Sequence, residues 1–318
     1  MTNPNIAQLA VTTLKAYKES LTDNVQNSHP LLQILKERGN IIKEDGGTSF
    51  QENLTYAANG TVQAQGEYDT FNTTPQDVIS AADFAQKIIT GTISMSSLEL
   101  KQNAGSRKII NLMDSKMRNL EISLKNEMGT QIYGDGTGTS GKDIGGLQYL
   151  VADAPTTGTV GGINRANYSF WRNQLYDFSV EGVTSSATTI ESSMQTLYQD
   201  CLVQNSEQPD LIMADRIYYD YFFDSQLAIK RIVNDDSGAN GGFKTLAWNG
   251  AKVVYDVNAP SEHMYFLNTK YLFLKHLGDF LDNMGSERPV NQSVFVTPLE
   301  FTGNMTMTNA RVHGVMHE

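Results

Sequence analysis

The sequence predicts an α+β fold, on three observations. Residues 104–133 carry one unbroken apolar stripe at helical spacing. A strand-loop-strand excursion without a single basic residue precedes that stripe. Helix-like and strand-like segments alternate after it. The composition fits a globular body: 318 residues, 40% hydrophobic and 19% charged, neither a fibre repeat nor a disordered tail. A chain of this length suggests about two domains.

Ile6, Ala10, Leu14, Tyr17 and Leu21 recur at helical spacing, so the N-terminus is expected to be an amphipathic helix. The polar stretch Thr22 to Ser28 separates it from the next element, which suggests an arm docked on its own domain or on a neighbour. His29-Pro30-Leu31-Leu32 through Gly39 predicts a two-turn helix, with Pro at its first position and Gly just past its end. Phe50, Leu54 and Tyr56 share one parity and predict a strand over 48–56. Ile89, Ile93 and Met95, with Gly91 between them, predict another over 84–95. Ala57 to Asp83 is then a polar excursion longer than most loops, and such loops are commonly functional. From Glu44 to Gln86 there are seven acidic residues and no Lys or Arg. The segment reads as an acidic, hairpin-like arm with little core of its own.

In the long helix Ile109, Met113, Met117, Leu120, Leu124 and Met128 form the stripe. At 1.5 Å per residue the rod is roughly 40 Å long. Arg107, Lys108, Lys116, Arg118 and Lys125 outnumber Asp114, Glu121 and Glu127, so its surface is mildly basic. A glycine turn comes next, Tyr133-Gly134-Asp135-Gly136-Thr137-Gly138 through Gly145-Gly146-Leu147. Further on, Ile190, Met194, Leu197 and Cys201 share a helix face. Pro209 precedes a strand at Leu211–Ala214, and Asp215 is placed to cap a helix running toward Arg231. A glycine loop from Asn234 to Phe243 leads to strands at 252–256 and 264–267. Leu299, Phe301, Met305 and Met307 alternate with Glu300, Thr302, Thr306 and Thr308 in a long final strand.

The net charge is −11. Nucleic-acid affinity is built on Lys and Arg against phosphate, so the chain suits enclosing DNA better than gripping it. One cysteine, Cys201, excludes an intrachain disulfide and a paired-cysteine zinc site. No signal peptide and no apolar run of membrane-spanning length is read, and a soluble chain made in a cytoplasm is expected.

Catalytic motifs are largely missing. Gly136 to Asp143 approaches a phosphate-binding loop, but Asp143 stands where a hydroxyl is required, and the loop comes after a helix instead of opening one. His29, His263, His276, His313 and His317 form no zinc-binding spacing. No nucleophile elbow occurs. Cys201, on an apolar helix face, reads as packing. The run Tyr218-Tyr219-Asp220-Tyr221-Phe222-Phe223 reads first as core and second as a subunit interface. No catalytic residue, cofactor or metal is assigned.

The ordered set resembles the major capsid proteins of tailed phages, with the Hong Kong 97-type fold. It comprises an arm, a short Pro-Leu-Leu helix, a strand-loop-strand arm, one very long helix, a glycine turn ending in Gly-Gly-Leu, a mixed segment and a terminal strand. The turn Gly134, Asp135, Gly136, Gly138, Gly145, Gly146 placed straight after the helix carries most of the likeness. By order of elements it covers nearly the whole chain, and by short motif only 104–150. The resemblance implies an N-terminal arm and short helix over 1–45, an extended β-hairpin loop over 46–100, and a peripheral domain with the spine helix and glycine turn over 101–154. It implies an α/β axial domain over 155–270 and a return to the peripheral domain over 271–318. It further implies self-assembly into pentamers and hexamers, a procapsid that later expands, and an icosahedral shell enclosing double-stranded DNA in the virion, assembled in a bacterial cytoplasm. Scaffolding, portal and decoration proteins are the implied partners.

Contacts between subunits are expected from the arm residues Glu52, Glu67, Tyr68, Asp69, Phe71 and Asp77, docking on Arg107, Lys108, Lys116, Arg118 and Lys125 of a neighbour's spine. The residues also imply two departures from the family. The excursion has no lysine between Glu44 and Gln86, so no loop-lysine crosslink is expected. The spine begins near residue 104, which leaves no room for a built-in scaffolding segment. An encapsulin shell or a gene-transfer-particle capsid is the alternative of the same fold, and an NTPase the alternative of another class.

Overall fold

The structure is a computed structural model that describes residues 20–102, 106–202, 207–230, 246–283, 288–289 and 292–318, with residues 100–102, 106–114, 227–230 and 283 described by backbone alone. Most of the predicted N-terminal helix (Ile6, Ala10, Leu14, Tyr17) and the glycine loop 234–243 lie outside the described residues. Residues 20–26 are helical, with Leu21 and Val25 buried one turn apart. The break expected at Thr22 therefore starts only at Asn27. Two inward residues suffice to hold one helical turn on the core, whatever polar residues stand between them.

Helix α1 (Pro30–Glu37) buries Leu31, Leu32 and Leu35, and Gly39 at φ +74° turns the chain away from its end. Strands β1 (Ile41–Glu44), β2 (Ser49–Thr55), β3 (Ile79–Ala85) and β4 (Lys87–Ser96) come after it. β2 and β3 pair antiparallel from Ser49↔Ala85 to Thr55↔Ile79. The strand expected over 84–95 is thus two strands parted at Gln86, and the excursion closes at Val78 instead of Asp83. Its small inward residue Ala82 left too faint an alternation to read. Helix α2 (Ser97–Gln102) leads to the spine helix α3 (Ser106–Tyr133). Met117, Leu120, Leu124 and Met128 are buried as the stripe predicts. Gly91 lets α3 lie close on β4, since a Cβ there would sit 2.4 Å from Leu120 Cδ1.

The second half runs β5 (Gln174–Asp177), α4 (Ile190–Asp200), β6 (Leu211–Ala214), α5 (Arg216–Lys230), β7 (Leu246–Trp248), β8 (Ala251–Tyr255), β9 (His263–Leu267), β10 (Leu272–Leu277), β11 (Asp282–Asn283), β12 (Val294–Met307) and β13 (Gly314–His317). One sheet has the order β1-β10-β12-β11, and β4 also pairs with β12, from Val294↔Ser96 to Gly303↔Lys87. The second has the order β5-β13-β9-β6-β8-β7. α4 and α5 supply Ile190, Met194, Leu197, Tyr218 and Phe222 to a core shared with β6, β8, β9 and β13. Asp215 Oδ1 accepts from Tyr218 N at 2.9 Å and so caps α5. Within the aromatic run Tyr218 and Phe222 are core, and Tyr219, Tyr221 and Phe223 pack partly buried against it.

The last strand, β13, lies in the middle of the second sheet, between β5 and β9. Gly314 permits that position, because a Cβ there would meet Cys201 Sγ and Leu197 Cδ1, both at 2.8 Å.

Candidate assembly surface

The β2–β3 ribbon has two unlike halves. Its base is part of the body: Phe50, Leu54, Ala82 and Phe84 are buried in the same core as the spine stripe. Gly161 fits against Ala82 and Phe84 where a side chain would not, and Asp83 N donates to Gly161 O at 2.9 Å. Tyr56 stacks on Phe170 at 5.1 Å. Glu52 belongs to this base. Its carboxylate lies 3.0 Å from Lys275 Nζ and accepts from Thr306 Oγ1 at 2.7 Å. Glu52 was expected to meet a neighbour, and this corrects it: β2 parity points the side chain inward, where a buried charge must be paired. Lys275 also contacts Glu44, at 3.0 Å. Burial favours its neutral amine, yet the hydrogen bonds and charges of Glu44 and Glu52 outweigh this and raise its pKa. Lys275 and Thr306 were missed in the sequence. The one available signal was a lysine inside the otherwise apolar run Leu272-Phe273-Leu274.

Beyond Tyr56 the ribbon leaves the body. Tyr68 is 94% exposed, Val62 83% and Phe71 81%. Glu67, Asp69 and Asp77 accompany them and are exposed. Asp69 Oδ2 accepts from Gly66 N at 2.6 Å, which closes a tight turn at the tip. Large side chains exposed together on an acidic tip have no burial available within the described chain.

The spine surface is less basic than its composition. Lys116 Nζ lies 3.2 Å from Glu99 and donates to Ser94 O at 2.6 Å. Lys125 pairs with Glu121 at 2.7 Å. Both cations are already engaged by their own chain, Lys125 by a neighbour four residues away on the same helix. Arg118 is exposed and has no ion-pair partner among the described residues. The side chains of Arg107 and Lys108 lie outside them.

The glycine turn locks the end of the spine. Asp135 accepts from Thr137 N at 2.9 Å, and that hydrogen bond with the one from Thr137 Oγ1 holds its carboxyl below the usual range. Gly136 takes φ +72°. Ile144 N donates to Gln131 Oε1 at 3.0 Å and Gly145 N to Asn304 Oδ1 at 3.0 Å, so the turn is fastened to both the helix and β12. A Cβ on Gly146 would lie 2.2 Å from Ile132 O. One turn earlier, Gly129 faces His29, whose ring stands 2.3 Å from where a Cβ would be. His29 Nε2 donates to Lys125 O at 2.7 Å, and its Nδ1 accepts from Asn258 Nδ2 at 3.1 Å. Tyr133 donates to Asp256 at 2.9 Å, and burial with that neighbouring charge pushes the phenol pKa up. These contacts tie the spine to the second sheet.

The phosphate-loop resemblance dissolves in the structure. Residues 138–141 form a single turn with Thr139 and Ser140 at positive φ, and Asp143 lies against Gly138. His263 Nδ1 donates to Ser261 O at 2.7 Å, its Nε2 lies 3.1 Å from Asp153 Oδ2, and the ring stacks on His317 at 5.5 Å. No group of three His, Cys, Asp or Glu among the described residues could hold a metal ion. No described helix is long and apolar enough to cross a membrane.

No family model and no curated protein sequence matches the chain. Solved structures do. The capsid asymmetric unit of cyanophage A-1(L) superposes with a TM-score of 0.67 at 15% identity, over 91% of this chain and 92% of that one. The chain has the phage-capsid fold. The satellite phage P4 procapsid is similar to it at a TM-score of 0.55 and 10% identity, over 94% of this chain and 97% of that one. The holo-SrpI encapsulin complex of Synechococcus elongatus is similar at 0.52 and 8%, over 87% and 84%. At such identities the likeness is one of fold alone.

Proposed function

We propose that the chain is a major capsid protein of the Hong Kong 97 type, which self-assembles as pentamers and hexamers into an icosahedral shell around phage DNA. The observation that carries this reading is the ribbon tip. On a phage-capsid fold, residues 57–77 present Val62, Tyr68 and Phe71 to solvent, with nothing among the described residues to cover them. A tip of this kind gains its burial from another copy. Closed symmetric shells reuse one such contact at every subunit.

The docking is mainly apolar in this reading. Tyr68 and Phe71 act as anchors, since aromatic residues dominate interface energetics. Glu67, Asp69 and Asp77 steer toward the exposed Arg118 of a neighbour's spine, with Arg107 and Lys108 as further partners. The spine and first sheet form the peripheral domain, and the second sheet with α4 and α5 forms the axial domain. A net charge of −11 suits a wall that encloses double-stranded DNA without gripping it. Scaffolding, portal and decoration proteins remain the proposed partners, the virion the proposed location, and no enzymatic role is assigned.

The test is the mass of the chain expressed alone, by light scattering, with electron microscopy of the same fractions. Pentamers, hexamers or hollow shells are expected. A strictly monomeric chain, unchanged at high concentration and with scaffold added, would overturn the reading. Particles that load a cargo enzyme and not DNA would move it to an encapsulin. A denaturing gel of mature particles is expected to show single subunits, because the ribbon between Glu44 and Gln86 has no lysine to crosslink.

A further inference from the structure

The first strand of the ribbon is rooted in two glycines. Gly46 and Gly47 take φ of +142° and +112° between β1 and β2. No atom lies within 4 Å of a Cβ built at Gly46, and the nearest to one at Gly47 is Ser49 O at 3.4 Å. On the return strand Gln86 parts β3 from β4, and its Nε2 donates to Gly47 O at 2.9 Å. Glycine backbones in open space rotate with little steric penalty. Left to its roots, the ribbon is a lever on a hinge.

Lys275 spans that hinge. Its Nζ lies 3.0 Å from Glu44, on the body side of Gly46, and 3.0 Å from Glu52, on the ribbon side. Thr306 donates to the same Glu52 oxygen at 2.7 Å, and Asn304 Nδ2 donates to Ala85 O at 2.7 Å on the second ribbon strand. The apolar base holds the ribbon against the body, but apolar burial is non-directional. Buried polar pairs with defined geometry are what select one orientation among several of similar burial. The charge count sharpens the effect. One cation stands between two carboxylates, so its loss removes two ion pairs and leaves two like charges facing each other.

We propose that Lys275 is a positioning residue, a latch that holds the β2–β3 ribbon at one angle across the Gly46–Gly47 hinge and so fixes where the tip is delivered. The latch stands on the geometry of the single chain. Its consequence for shell geometry rests on the capsid reading above.

A distance measurement tests it. Thr70→Cys at the tip and Thr196→Cys on α4 place two spin labels. Cys201 is buried and its thiol is held protonated by burial, so it stays unlabelled. Labelled chain is diluted into unlabelled chain, and the distance distribution is read by pulsed electron paramagnetic resonance. The otherwise unaltered chain is expected to give one narrow distribution. Lys275→Met is expected to broaden or shift it, Lys275→Arg to keep it narrow, and Glu52→Gln to fall between. Unchanged distributions in both Lys275→Met and Glu52→Gln would overturn the latch. If Lys275→Met does not fold, Glu52→Gln decides alone, because it keeps the shape and an acceptor for Thr306. Failure of the unaltered chain to form shells, with a narrow distribution, would sink the capsid reading and leave the latch standing.

Discussion

The two halves of one ribbon obey different physics. In β2 and β3 every inward position is filled from the chain itself: Phe50, Leu54, Ala82 and Phe84 enter the main core, and Glu52 meets Lys275. From Ala57 to Asp77 the same ribbon buries none of its large apolar side chains, and Tyr68 and Phe71 stand in solvent. The base is folded by its own sequence. The tip has residues suited to a core and no core to join among the described residues. A segment of this second kind is stable only as part of something larger, which makes it the place where subunit stability and assembly come apart.

Single changes in the body are therefore expected to act on folding. The largest effect is expected at Gly146, where any Cβ would lie 2.2 Å from Ile132 O and 2.4 Å from Gln131 O, both backbone atoms that cannot step aside. Gly146→Val is expected to cost upward of about 4 kcal/mol, seen as loss of soluble subunit or collapse of its melting transition.

Acid comes next. His313 is fully buried, accepts from Asn268 N at 3.2 Å, and burial lowers its pKa to about 4. The unfolded chain, with an ordinary value near 6.5, takes up a proton that the folded chain refuses. Stability is then complete above about pH 6.5 and falls as pH drops toward 4, by about 3 kcal/mol in all. Denaturant melts across that window check the slope. His313→Gln, which keeps an acceptor for Asn268 N, is expected to flatten it.

The third test sets base against tip. Leu54→Ala is expected to cost about 2–4 kcal/mol of subunit stability. Phe71→Ser at the tip is expected to stay within about 0.5 kcal/mol, as surface changes do. Equal costs at the two positions would erase the distinction. The smallest effect is expected at Arg118. Arg118→Ala should weaken association slightly and only at low salt, since exposed ion pairs are weak and screened. Association that is equally strong across low and high salt would remove the electrostatic part altogether.

Local signals carried most of the fold. The spine stripe, Pro30 and Gly39 around α1, Pro209 before β6 and Asp215 ahead of α5 each act through neighbours within a turn or two. They are legible because the cause lies beside the effect. Three features are not of this kind. The split at Gln86 depends on which strand each half pairs with. The place of β13 depends on Gly314 clearing Cys201 and Leu197 on a distant helix. The latch joins Glu44, Glu52, Lys275 and Thr306 from four strands. Composition suggested that the arm and the spine attract by charge. The structure engages Glu52, Lys116 and Lys125 within the chain and leaves Tyr68 and Phe71 exposed on the tip.

The central claim is that the tip finds its core in another copy, and the double variant Tyr68→Ser/Phe71→Ser tests it most directly. Its subunit melting temperature and its assembled mass would be measured side by side with those of the unaltered chain. The account predicts an unchanged melting transition with capsomers and shells lost. Normal shells from the double variant would contradict it.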